Sequence, residues 1–123
     1  MKVLAVRGAT TVNNNDSVEI IDETKKLLSD IIEKNSIDLE DIISVIFTMT
    51  DDLNDSFPAI AARQIGWKDI PLMCMKELNV KDSLEKCIRV MFYINSEKER
   101  KDVKHIYLNK SKILRPDLEE TKK

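Results

Sequence analysis

Five of the twenty basic residues are arginine, and four of those five lie among apolar neighbours. Arg7 ends the run Val3-Leu4-Ala5-Val6, and Arg63 follows Ala59-Ile60-Ala61-Ala62. Arg89 lies inside Cys87-Ile88-Arg89-Val90-Met91-Phe92-Tyr93-Ile94, and Arg115 follows Ile113-Leu114. Arg100, in Glu97-Lys98-Glu99-Arg100-Lys101, has the surroundings of an ordinary solvated residue, as do most of the fifteen lysines. A guanidinium is a rigid, permanently charged fork that holds carboxylates through paired hydrogen bonds. Carrying one into an apolar strand is expensive unless an anion answers it. The distribution points to a site for a small polyanion.

Each of these residues also has a plainer reading. Arg89 can pair with an acid facing the core. Arg7 can be an edge-strand charge that blocks aggregation. Arg63 can be a solvated helix residue and Arg115 part of a mobile tail. Cys74 is more often a small buried hydrophobe than a nucleophile, and Glu77, three residues on, is more often surface. A nucleophilic cysteine needs a base, and the only histidine is His105; a lone strand histidine is usually structural, so a Cys-His dyad is not expected. Tyr107 can donate to a carboxylate, although tyrosines at core edges are common. Phe57 can simply pack where a helix begins. What tips the balance is that arginine stands at these positions while lysine serves elsewhere.

The inventory also excludes chemistries. There is no serine–histidine–acid set, no motif of paired carboxylates and, with two glycines, no glycine-rich phosphate loop. Two cysteines and one histidine offer no metal-ligand spacing. An enzyme built from these residues needs a reaction without nucleophile, metal or bound cofactor, one that position and charge can accelerate. The net charge of −2 argues against nucleic acid as a partner. No secretion signal precedes the first strand-like segment, and no apolar stretch reaches the ~18 residues that cross a bilayer. The chain reads as soluble and cytosolic, with reduced thiols at Cys74 and Cys87.

The elements that must hold these residues are legible from periodicity. Alternation predicts a strand over 2–7, with Val3, Ala5 and Arg7 on one face, and Gly8-Ala9-Thr10-Thr11 turning away. Asp16 with Glu19 resembles a capping box opening a helix whose apolar set is Ile20, Ile21, Thr24, Leu27, Leu28, Ile31 and Ile32. Asn35-Ser36 ends it. Further strands are predicted over 42–49, 70–75, 86–94 and 103–108. A short helix opens at Phe57-Pro58-Ala59 and closes at Gly66. On the fourth strand Cys87, Arg89, Met91 and Tyr93 share one face, and Ile88, Val90, Phe92 and Ile94 form the core face. The expectation is a single α+β domain over 1–123, a five-stranded mixed sheet with two helices, ending in a partly mobile tail from about 115 to 123.

These motifs resemble one family, the monofunctional chorismate mutases of the AroH class. The matching stretches are Val6-Arg7-Gly8-Ala9-Thr10-Thr11-Val12, Phe57-Pro58-Ala59, Ala62-Arg63, Gly66-Trp67, Pro71-Leu72-Met73-Cys74-Met75-Lys76-Glu77, Cys87-Ile88-Arg89-Val90-Met91, His105-Ile106-Tyr107-Leu108 and Leu114-Arg115-Pro116-Asp117-Leu118. They run in order across nearly the whole chain. The resemblance implies a homotrimer of pseudo-α/β-barrel subunits, with active sites between neighbours and no cofactor. It implies conversion of chorismate to prephenate, a Claisen rearrangement on the route to phenylalanine and tyrosine.

By that resemblance, Arg89 faces the ether oxygen that gains charge as its bond breaks, and Arg7 holds a substrate carboxylate. Tyr107 is a further carboxylate partner. Glu77 stands beside the ring hydroxyl, where positive charge develops, and Cys74, with Met73 before it, lines that end. Phe57, Ala59 and Arg63 form the wall given by the adjacent subunit. Leu114 and Arg115 belong to the tail that closes the mouth. Ile60 departs from the pattern, standing where the family often has a basic residue. Three other readings use the same arginines: a non-catalytic trimer that binds a small dicarboxylate, a deaminase-like trimer acting on imines, and a structural oligomer held by salt bridges.

Overall fold

The structure, a computed structural model, describes residues 1–114. Arg115 and the expected mobile tail lie outside the described residues. The chain runs β1 (Lys2–Thr11), α1 (Ser17–Asn35), β2 (Ile42–Met49), α2 (Ala59–Gln64), β3 (Leu72–Lys76), β4 (Cys87–Ser96) and β5 (Ile106–Tyr107), with a 3-10 segment over Asn109–Leu114. The strands form one mixed sheet in the order β3-β2-β4-β1-β5. β4 is antiparallel to both β1 and β2, while β2–β3 and β1–β5 are parallel.

β1 does not turn at Gly8. It continues to Thr11, paired with β4 throughout. Gly8 stands where neighbours come close: a Cβ on it would lie 2.6 Å from Ile31 Cδ1, 3.1 Å from Leu27 Cδ1 and 3.2 Å from Ile106 O, so the α1 side chains pack directly on the strand backbone here. Arg7 therefore sits in mid-strand, not at a strand end.

α1 forms because its apolar residues recur at helical spacing and bury Ile20, Leu27, Leu28 and Ile31. Asp16 caps it, accepting from the Glu19 N–H at 3.0 Å. The expected capping box closes differently. The Glu19 carboxylate accepts from the Asn13 and Asn14 N–H groups, not from that of Asp16. Ser36, at φ 51°, ends the helix in the left-handed region. Gly66, at φ 94°, turns the chain after α2.

The last strand is two residues long, shorter than the 103–108 expected. Its ladder is interrupted by side chains. The buried Asn35 amide donates to Lys104 O at 2.9 Å and accepts from Lys104 N at 2.8 Å. The Arg7 N–H donates to His105 Nδ1 at 2.9 Å instead of to a strand carbonyl. β3 begins two residues later than expected, after Pro71, whose carbonyl accepts from Val45 N at 3.0 Å. β4 runs on two residues beyond Ile94, to Ser96.

Both helices pack on one face of the sheet. That side holds Val6, Val45, Phe47, Val90 and Phe92 against Leu27, Leu28 and Ile31, with Trp67 edge-on to Phe92 at 5.7 Å between ring centroids. The pleat sends Arg7, Arg89, Met91, Tyr93, Ile46, Thr48, Met73 and Met75 to the opposite face. On that side, away from the helices, Met73 and Met75 are exposed.

Candidate active site

Antiparallel register brings the two strand arginines together. Arg7 lies opposite Met91, and Arg89 is two residues from Met91 on the same strand. Residues so placed are diagonal neighbours on one face, roughly 7–8 Å apart. Both line a cleft of about 450 Å³. Glu77, Tyr107, Thr48, Ile46, Met91 and Leu114 line it too.

Glu77 reaches the cleft from just past the end of β3, where its backbone N–H donates to Met49 O at 2.9 Å. Its carboxylate meets Arg89 Nε at 3.0 Å through Oε2. Through Oε1 it accepts from the Thr48 hydroxyl at 2.5 Å. The Arg89 side chain is 46% exposed and that of Glu77 17%. A pair open to water on this scale contributes at most ~1 kcal/mol to folding.

Tyr107 is held by pairing with Ala9 across β1–β5, and packs with Ala9, Cys87, Leu84 and Leu114. Burial pushes the Cys87 thiol up to about 11, against the opposing pull of the Arg89 guanidinium beside it. Cys87 is a protonated packing residue at neutral pH.

The structure does not bring the remaining predicted site residues into this cleft. Cys74 turns toward the helix side and packs against the core. With Phe57 and Ile60 it lines a second cavity of about 830 Å³, which Asp51, Asp55 and Lys76 also border. Ala59 is buried in α2, Arg63 is exposed on it, and Met73 is exposed beside Ile46 at the edge of the sheet. His105 adjoins β5 and Cys74 lies on β3, at opposite edges of the sheet, so they form no dyad. Thr48 went unrecognised as a site residue in the sequence. Its partner lies 29 positions away and only the sheet joins them.

Fold and cleft together define a small α+β protein that brings two guanidinium groups, an acid and a phenol to one cleft. That is the equipment of an enzyme working by placed charge. Residues 3–118 match the family described as chorismate mutase type I. Chorismate mutase AroH of Bacillus subtilis (strain 168) is 42% identical over 123 residues, covering 99% of this chain and 97% of its own. Chorismate mutase AroH of Thermus thermophilus is 42% identical over 118 residues, with 95% and 97% covered. A solved chorismate mutase from Clostridium thermocellum superposes with a TM-score of 0.88 at 57% identity, over 89% of this chain and 97% of that one. This chain belongs to the chorismate mutase type I family.

Proposed function

We infer that the chain converts chorismate to prephenate as a homotrimer, with the Arg7–Glu77–Arg89 cleft completed at a subunit boundary. Isomerase activity on chorismate follows from family membership. The residue roles and the assembly are our reading of this chain. The observation that carries it is the convergence of Arg7, Glu77, Arg89 and Tyr107 on one cleft.

The reaction breaks one carbon–oxygen bond while one carbon–carbon bond forms. No covalent bond to the protein is needed. The ether oxygen gains negative charge in the transition state and the ring becomes positive. Arg89 stabilises the oxygen with a guanidinium already in place, which lowers the barrier because the interaction strengthens as the charge develops. Arg7 and Tyr107 hold carboxylate and so keep the substrate in its folded, reactive conformer. Glu77 answers the positive charge on the ring.

The sheet face without helices supports assembly. Met73 and Met75 are exposed there, and Phe57 is 65% exposed beside the second cavity, so apolar surface is left for a neighbour to cover. In the trimer, Phe57 and Arg63 of one subunit wall the cleft of the next, with the buried Ala59 behind them in α2 and Cys74 and Met73 at the junction. Leu114 lines the cleft; Arg115 lies outside the described residues, and its part in closing the mouth is what the family resemblance implies. Ile60 leaves the mouth of the second cavity without the basic residue common in the family.

Among the described residues no helix is long and apolar enough to cross a membrane. We place the enzyme in the cytoplasm, on the route to phenylalanine and tyrosine. The test is direct. With chorismate added, its absorbance falls and prephenate accumulates, and sedimentation gives the mass of three chains. A trimer that binds chorismate without consuming it would be the dicarboxylate-binding module instead. A monomer with full turnover would overturn the shared site.

A further inference from the structure

Glu77 belongs to no helix or strand. It stands one position past β3, with its neighbours no longer held in a ladder on both sides. Its carboxylate is nevertheless gripped from two directions. Arg89 Nε meets Oε2 at 3.0 Å, and Thr48 Oγ1 donates to Oε1 at 2.5 Å. Thr48 is the residue opposite Arg89 in the β2–β4 ladder. It therefore stands between the two charged groups, on the strand that separates them.

One contact leaves a carboxylate able to pivot about the donor. Two contacts on its two oxygens fix both its position and its plane. The fixing extends to Arg89. A guanidinium bound through Nε to an immobile partner can turn little about its own torsions, so its Nη edge keeps one direction. Threonine suits the task because its β-branch restricts χ1 on a strand. The hydroxyl is aimed before the acid reaches it.

We propose that Thr48 is a positioning residue for the rearrangement. Its hydroxyl orients the Glu77 carboxylate, and through it the Arg89 guanidinium, before substrate binds. The proposal rests on Glu77 and Arg89 acting as assigned above. Thr48 acts through Glu77, so its loss loosens the alignment on which the transition state depends and leaves the carboxylate-holding contacts of Arg7 and Tyr107 in place.

The experiment compares Thr48→Val, Thr48→Ala and Thr48→Ser by kcat and KM for chorismate, with thermal melting as the fold control. Thr48→Val keeps the shape and strand preference while deleting the hydroxyl. It should lower kcat about 10-fold with KM within about twofold, a loss of about 1.4 kcal/mol from transition-state stabilisation. Thr48→Ala should match it, and Thr48→Ser should keep at least about a third of parental kcat. In a Glu77→Ala background, Thr48→Val should change kcat less than twofold further. The proposal is overturned if Thr48→Val alone retains kcat within twofold of the parent, or if Thr48→Ser falls as far as Thr48→Val, which would assign the effect to packing. Parental turnover in Glu77→Ala by itself would remove the role of the acid, a separate failure seen without touching Thr48.

Discussion

Arg89 Nε stands 3.0 Å from Glu77 Oε2, yet the two residues come from strands that do not touch: β4, and the end of β3, with β2 lying between them. The bond bridges a whole strand, over Thr48. A guanidinium fixed by the protein's own groups has little reorganisation left for the moment of reaction, which is where charge placement gains its advantage over water.

Arg89→Ala should lower kcat at least ~100-fold, because one preorganised donor to developing charge is worth ~3–4 kcal/mol. Arg89→Lys should also be poor, since an ammonium cannot both meet Glu77 through a lateral nitrogen and present a planar fork. Circular dichroism should show both folded, as the side chain is 46% exposed. Near-parental turnover by Arg89→Ala would remove its assigned role.

Cys74→Ser should leave much of the activity. The thiol packs on the helix side, against the core and the second cavity, and the reaction requires no thiolate. Complete loss of turnover in a folded Cys74→Ser protein would point to covalent chemistry.

Stability should fall in alkali through Cys87. Its thiol titrates at about 11 in the folded chain against an ordinary 9.0. Below pH 9 both states hold the proton and the contribution is whole. Between 9 and about 11 the unfolded chain releases its proton first, so the folded state loses ground, by ~2–3 kcal/mol at the upper end. Denaturant melts at stepped pH should show this slope, and Cys87→Ala should remove it.

Gly8→Ala should be destabilising and should also reduce turnover. The new methyl would stand 2.6 Å from Ile31 Cδ1 and 3.2 Å from Ile106 O, so the Ile31 side chain must turn aside and the β1–β5 pairing must give a little, at a cost of ~1–3 kcal/mol. Arg7 is the preceding residue and moves with the strand. Thermal melting should show a Tm lower by several degrees, with a raised KM for chorismate if Arg7 holds a substrate carboxylate as proposed.

Much of the fold was legible because its signals are local. The alternation of Cys87-Ile88-Arg89-Val90-Met91-Phe92 separates two faces in any sheet, and Val90 and Phe92 are indeed core. The apolar period of α1 and its stops at Asp16 and Ser36 need no partner to be read. Gly8 was misread because a glycine that admits a passing helix looks in sequence like one that makes a turn. The fifth strand was overdrawn because nothing in Val103–Leu108 tells that Asn35 and Arg7 take up its backbone and histidine groups.

The chain by itself determined the ingredients: arginine where an apolar strand makes charge expensive, an acid and a phenol, and no nucleophile or metal set beside them. Tertiary structure decided which of these meet. Arg7 and Arg89 share a cleft because the β1–β4 register aligns them, while Cys74 falls to another cavity because the pleat turns it away, and Phe57 because it stands in the connection between β2 and α2. The Thr48–Glu77–Arg89 arrangement existed nowhere in the local pattern. A hydrogen bond between residues 29 positions apart depends on strand order, and strand order is set by burial of the whole sheet, not by any single segment.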